Sequence, residues 1–269
     1  MGRGFILAAL GAASVALVGC GGETSGGGGW LNIFMADAPL QNITALNITI
    51  DRIEAHLDGQ WVEIETDPQT IDLLTLTQNE TMIGSAGVPS GTYTQIRLFL
   101  SEATVTDDTG THDVQIPSGA QTGLKLNVDA TVGEGTVEIL LDFNVQKSLT
   151  RTGNGQYKLK PVIPVLLKEL AGSISGFAVH NGRPLFGVHI TATYTAGPSY
   201  DIGTEVNTSM SMPDGSFKVW ALKEGVYELD FILHTPGGLI IFVATVEDVV
   251  VTSGQNTNIG NVEHTPVIR

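Results

Sequence analysis

The sequence predicts an all-β protein, and three observations carry that prediction. Val, Ile and Thr supply 74 of the 269 positions, and β-branched side chains, stiff at χ1, suit the pleated strand. Apolar residues recur with period two over short runs rather than with helical spacing. Between the runs lie turn signals such as Asp58-Gly59 and Pro213-Asp214-Gly215. The expected architecture is two β-sandwich-like domains, residues 30–170 and 171–269, behind an apolar leader over 1–19 and a Gly-rich stretch over 20–29.

The leader opens with Met1-Gly2-Arg3-Gly4 and runs apolar from Phe5 to Val18. As a helix that run rises about 21 Å, short of a hydrocarbon core of roughly 30 Å, so it reads as the h-region of a signal peptide. It ends in Leu17-Val18-Gly19-Cys20, which resembles the lipobox of bacterial lipoproteins. The resemblance implies that Cys20, the one cysteine of the chain, is acylated and becomes the new amino terminus. Two or three acyl chains anchor durably where one holds marginally. Removing residues 1–19 from 269 leaves 250, and the loss of Arg3 takes the charge from -15 to -16. Gly21, in place of an Asp, implies outer-membrane placement. Gly21 to Gly29 contains six Gly in nine residues, cannot bury apolar area, and reads as a tether.

From Trp30 onward the strands follow one another. Leu46, Ile48 and Ile50 alternate with polar residues, then Ile53, Ala55 and Leu57 take over in the opposite phase, which predicts a β-bulge near Asp51 and Arg52. Asp58-Gly59 closes a hairpin into Trp61–Ile64. Further strands are expected at Tyr93–Leu100, Thr104–Thr106, His112–Ile116, Leu124–Val128, Thr136–Phe143 and Tyr157–Leu167. Asp72–Ile83 is open between strand and short helix, and Asp142–Leu149 has room for one helical turn. The pattern restarts near Leu170-Ala171-Gly172, with Ile174, Phe177 and Val179, then Val188, Ile190 and Ala192. Phe217 and Val219, Leu229–Leu233, and a buried strand pair over Leu239–Val251 complete the second domain.

Both halves carry resemblances. Residues 30 to about 169 are similar to a DUF4382-type family of extracytoplasmic lipoproteins classed as a domain of unknown function. The likeness rests on Met35-Ala36-Asp37-Ala38-Pro39, Ile50–His56, Ile71-Asp72-Leu73-Leu74 and Pro89–Leu98. It implies location and a β-rich fold and brings no catalytic residues. Residues 172 to about 263 resemble the carboxypeptidase regulatory-like, transthyretin-like β-sandwich through Gly172-Ser173-Ile174-Ser175-Gly176, Arg183–Val188, Asp214-Gly215-Ser216-Phe217 and Glu224-Gly225-Val226-Tyr227. Met212-Pro213 departs from the usual pattern before the Asp-Gly turn. The resemblance implies a non-catalytic spacer, stabilising or binding module, and related folds bind carbohydrate.

Chemistry is bounded mainly by exclusion. A charge of -15, from 28 acids against 13 bases, repels nucleic acid. One Cys forms neither an internal disulfide nor a thiolate metal site. The six His are scattered and read as surface or turn positions. No Gly-x-Ser-x-Gly elbow, P-loop or dinucleotide fingerprint is present, so the chain reads as a non-enzyme that needs no cofactor. Asp107, Asp108 and Asp113 surround a Gly and offer oxygen ligands to Ca²⁺, although a hairpin turn explains them more simply. Asp37 before Ala38-Pro39 reads as a turn residue. Glu54, Glu63 and Glu65 form either an acidic patch or a solvated face. Flat rings stack on sugars, and Trp30, Trp61 and Trp220 are the available ones. Trp220 points away from the side that Phe217 and Val219 bury, toward either a ligand or a neighbouring domain. The expected function is that of a lipid-anchored envelope protein that binds or braces a partner protein or polysaccharide. The alternative is an accessory subunit or enzyme of envelope polysaccharide metabolism with a Ca²⁺-dependent site.

Overall fold

The computed structural model describes residues 27–267 except 41, 119–121 and 236, so Cys20 and the tether up to residue 26 lie outside the described residues. The first lobe opens with β1 (Gly28–Ala36), β2 (Ile43–Leu57), β3 (Gln60–Glu65) and β4 (Gln69–Asp72), followed by a 3₁₀ turn over Leu73–Leu76. Asp72 caps that turn, accepting from the Leu74 N–H at 3.1 Å. Next come β5 (Thr81–Pro89), β6 (Gly91–Asp107), β7 (Gly110–Gln115), β8 (Leu124–Val132) and β9 (Thr136–Asp142). One helical turn, α1 (Val145–Ser148), precedes β10 (Leu149–Arg151), β11 (Tyr157–Leu159) and β12 (Val165–Leu167). The second lobe holds β13 (Gly172–His180), β14 (Arg183–Pro184), β15 (His189–Ala196), β16 (Glu205–Met210), β17 (Ser216–Leu222) and β18 (Gly225–His234). It ends with β19 (Ile240–Val251), β20 (Asn256–Glu263) and β21 (Thr265–Pro266). The fold is all-β, as the composition predicts.

Each lobe is two sheets around one core. In the first, the sheet β12-β9-β1-β5 faces a larger one ordered β10-β11-β7-β6-β2-β3, in which β4 also pairs with β2 and β8 with β6. Leu31, Ile33, Ile48, Ile53, Ile96 and Leu98 meet between them, all removed from solvent. In the second, β14-β13-β17 with β20 beside β13 faces β16-β15-β18-β19-β21, over Ile174, Ile190, Phe217, Leu229 and Phe231. Among the described residues no strand pairs across the two lobes. A third, smaller apolar cluster joins them: Ala36, Leu140 and Leu166 from the first against Trp220 and Ala221 from the second.

Local signals act as expected in β2. Its register against β6 slips at Thr49/Ile50 and Ile50/Arg52, which lets Ile50 and Ile53 both reach the core. Asp58 and Gly59 close the β2–β3 hairpin with φ of 48° and 79°, the pairing that a two-residue turn of matching twist requires. One device recurs in both lobes. The Tyr93 hydroxyl donates to the Pro89 carbonyl four residues back at 3.0 Å, and the Tyr227 hydroxyl donates to that of Lys223 at 2.7 Å. Gly91 and Gly225, two residues before each tyrosine, both have φ of 152°. A Cβ at Gly225 would strike the Tyr194 ring. Each lobe is thus pinned by a tyrosine corner.

Several expectations are corrected. Tyr93–Leu100 and Thr104–Thr106 are one 17-residue strand, β6, because β2 pairs along nearly all of it while its other edge passes from β8 to β7. Tyr157–Leu167 is instead broken, since Pro161 and Pro164 have no N–H to give a ladder. Leu239–Val251 is not a buried pair: Ile240–Val251 is one strand, with Val243 and Val250 exposed. Phe177 faces out because Ile174, Gly176 and Ala178 take the inward side of β13, and Phe177 has the opposite parity. Among the described residues no helix is long and apolar enough to cross a membrane.

Candidate functional site: the seam between the lobes

The seam starts from two parallel strand ends. β1 and β9 run side by side with Ala36 opposite Asp142, so Asp37 and Asp142 emerge together at the face that receives the second lobe. Asp37 is fully buried, its Oδ1 accepts from the Val145 N–H at 3.1 Å, and its Oδ2 has no partner among the described residues. Burial above all, with the Asp142 charge second, raises the Asp37 carboxyl well above the usual range. Asp142 is likewise buried, and desolvation pushes it up to about 7 against the opposing pull of Asn207 and Lys147.

Side chains of the second lobe pair with Asp142 and Asn144. Asn207 Nδ2 donates to Asp142 Oδ2 and, at 2.9 Å, to the Trp220 carbonyl. Asn144 caps α1 by accepting from the Lys147 N–H at 3.0 Å. Its Nδ2 donates to Asn207 Oδ1 at 2.7 Å and to Thr208 Oγ1 at 3.0 Å. Lys147 reaches Glu205 at 2.7 Å on the rim, and the Trp220 indole donates to the Thr77 carbonyl at 3.2 Å. A buried network of this kind rigidifies a contact when every member is paired. Sequence reading singles out Asp37 and Trp220 here but misses Asp142, Asn144, Asn207 and Thr208. The available signal is polar residues closing the apolar run Ile139-Leu140-Leu141.

Beside the seam the surface opens into two clefts that share Lys168 and Gly254. The larger, about 640 Å³, is lined by Asn32, Thr131, Thr136, Glu138, Lys168 and Glu169 among others. The smaller, about 190 Å³, runs toward Glu80, Lys218 and Trp220. Lys168 Nζ lies 3.1 Å from Glu80 and 3.4 Å from Glu138, and these two carboxylates hold the ammonium above its ordinary range against the opposing effect of burial.

Trp220 apart, the remaining predicted site residues lie away from the seam. Trp220 is 7% exposed, packed in the interlobe cluster with Lys218 Nζ 3.4 Å from its ring centroid, so neither ring face is open to a sugar. Trp61 is half-buried on the outer face of the large sheet, with the Arg97 guanidinium 3.9 Å above its ring. Glu54 belongs to that cluster, accepting from Arg52 and Arg97. Glu65 instead caps the following turn through the Thr66 and Asp67 N–H groups. Asp107 is engaged by protein donors: Oδ1 accepts from Thr109 and contacts His112 Nε2 at 3.0 Å, and Oδ2 accepts from Tyr157 at 2.7 Å. Those bonds, Thr109 first, hold its carboxyl well below the usual range. Asp108 sits exposed at the β6–β7 turn and Asp113 exposed on β7. Among the described residues no group of three or more His, Cys, Asp or Glu is placed to hold a metal. His264, expected at the surface, is 1% exposed and stands edge-on to Phe231. The fold also brings His189 and His234, 45 positions apart in the chain, to 6.0 Å between ring centroids.

No curated protein matches the chain. Among solved structures, the TIE protein of Bacillus anthracis is 14% identical at a TM-score of 0.27, over 89% of this chain and 34% of that one, so the chain spans about a third of its length. BcpA, the major pilin subunit of Bacillus cereus, is 12% identical at 0.27, over 88% of this chain and 70% of that one. The shaft pilin SpaA of Lactobacillus rhamnosus GG is 8% identical at 0.26, over 90% and 98%. Scores at this level do not extend to function. The family match lies in the first lobe: residues 28–161 fit the model described as a domain of unknown function, DUF4382.

Proposed function

We propose that this protein is a lipid-anchored component of the cell envelope that binds or braces a partner protein or polysaccharide without catalysing a reaction. The observation that supports it is the placement of the shifted carboxyls. Asp37 and Asp142 are shut between the lobes and line neither cleft, whereas Lys168, which lines both, is paired with Glu80 and Glu138. A general acid or base needs a matched pKa and reach to substrate together, and here the two are separated. The rival reading, an enzyme or accessory subunit with a Ca²⁺ site, loses its support where Asp107 spends both oxygens on Thr109, His112 and Tyr157.

In this reading Cys20 carries the lipid, residues 21–29 are the tether, and residues 30–170 and 171–269 are two domains. The second is a carboxypeptidase regulatory-like module, consistent with its Asp214–Ser216 turn, where Asp214 Oδ1 accepts from the Ser216 N–H at 2.9 Å. Gly21 after the cysteine favours the outer membrane. Cys20→Ala followed by membrane fractionation tests the anchor: the variant should leave the membrane fraction, and a processed variant that stays there overturns it. Product analysis after long incubation with cellohexaose and chitohexaose tests the non-catalytic half, and the release of shorter sugars refutes it.

A further inference from the structure

We propose that the larger cleft beside β1 and β9 is a glycan-binding subsite, with the Trp30 indole as its stacking platform and a neutral oligosaccharide as its ligand. The inference rests on the binding role proposed above and gives it a site and a ligand class.

Strand alternation puts the parts together. Trp30, Asn32 and Phe34 share one face of β1. Trp30 sits opposite Thr136 of β9 and Asn32 opposite Glu138, and Asn32, Thr136 and Glu138 all line the 640 Å³ cleft. Of the three tryptophans, Trp61 lies under Arg97 and Trp220 under Lys218. Trp30 is 55% exposed and is the one left with an uncovered ring among the described residues. A single exposed aromatic is ordinary; Trp30 does not itself line the cleft, but it stands opposite Thr136, which does, beside a polar cleft of ligand size.

The lining chooses the ligand. Asn32 Oδ1 accepts from Ser85 at 2.7 Å, which leaves the amide N–H groups to donate into the cleft. Thr136 adds a hydroxyl, Glu138 a carboxylate and Lys168 an ammonium. Such alternation of donors and acceptors suits a row of sugar hydroxyls, while the indole takes an apolar C–H face. Lys168 is outnumbered by Glu80, Glu138 and Glu169, on a chain of net charge -15, so uronate and sulfated sugars are repelled. Flat, equatorially substituted pyranoses present the broadest C–H face to an indole.

The test titrates the full-length Cys20→Ala chain with cellohexaose, chitohexaose and a hexameric oligogalacturonate, followed by calorimetry and tryptophan emission. At least one neutral hexasaccharide should bind with a change in emission, and the galacturonate should not. Trp30→Ala should weaken that binding about tenfold and Asn32→Ala several-fold, both with the parent melting temperature, whereas Trp61→Ala should leave it unchanged. Absence of binding by both neutral sugars, tighter binding of the galacturonate, or binding insensitive to both Trp30→Ala and Asn32→Ala overturns the proposal. So does a Trp30 emission shift with phosphatidylethanolamine–phosphatidylglycerol vesicles and none with sugars, which assigns the indole to a bilayer. Each of these leaves the anchor and the non-catalytic role standing on their own experiments.

Discussion

Asp142→Asn should remove one component, that of Asp142, from the loss of stability that the native protein suffers as pH rises from about 4 to about 7. Asp142 is buried at the seam and its folded pKa is about 7, against about 3.9 for an unfolded aspartate. The folded state therefore holds the proton more tightly than the unfolded state. Its stabilising contribution is complete below the unfolded value, declines through the interval and stays lost above the folded value. Three units at 1.36 kcal/mol each correspond to about 4 kcal/mol. An asparagine keeps an oxygen to accept from Asn207 and carries no proton to titrate. Urea unfolding at four pH values between 4.5 and 7.5, read by tryptophan emission, measures both proteins. The stability of the variant relative to native should grow steadily across that range, and a difference that stays constant with pH would refute the reasoning.

Two further outcomes follow from the same geometry. Asn207→Ala strips partners from Asp142 and Asn144 together, which should cost roughly 2–4 kcal/mol and split one calorimetric transition into two as the lobes uncouple; a single unshifted transition would count against the seam as a latch. Tyr93→Phe and Tyr227→Phe each delete one corner hydrogen bond and should cost about 1–2 kcal/mol apiece in urea unfolding, adding when combined because each lies in its own lobe.

What proved legible is what a few neighbouring residues dictate. The bulge at Asp51, the Asp58-Gly59 turn and the helical turn after Asp142 each depend on φ preferences or alternation within a short window, and each is present. The failures share the opposite cause. That β6 continues past Ser101 and Glu102, both exposed, depends on the distant strand β2. That Ile240–Val251 is one strand depends on β18, which pairs along it. The two corners lay open in Gly91-Thr92-Tyr93 and Gly225-Val226-Tyr227, but only φ and the hydroxyl bonds reveal them as one device.

By itself the sequence determined the fold class, the positions of most turns and the expectation of an acylated Cys20, since composition, alternation and a motif read along the chain are enough for these. Tertiary structure alone decided which aromatic is available and where the buried charge sits. Trp30, Trp61 and Trp220 are chemically the same residue; a lysine over one ring, an arginine over another and, among the described residues, no cation over the third distinguish them. Asp142 and Asn207 stand 65 positions apart, and no periodicity links them. Their pairing arises only when one lobe closes on the other and removes both from water, and that desolvation is the physical source of the raised pKa.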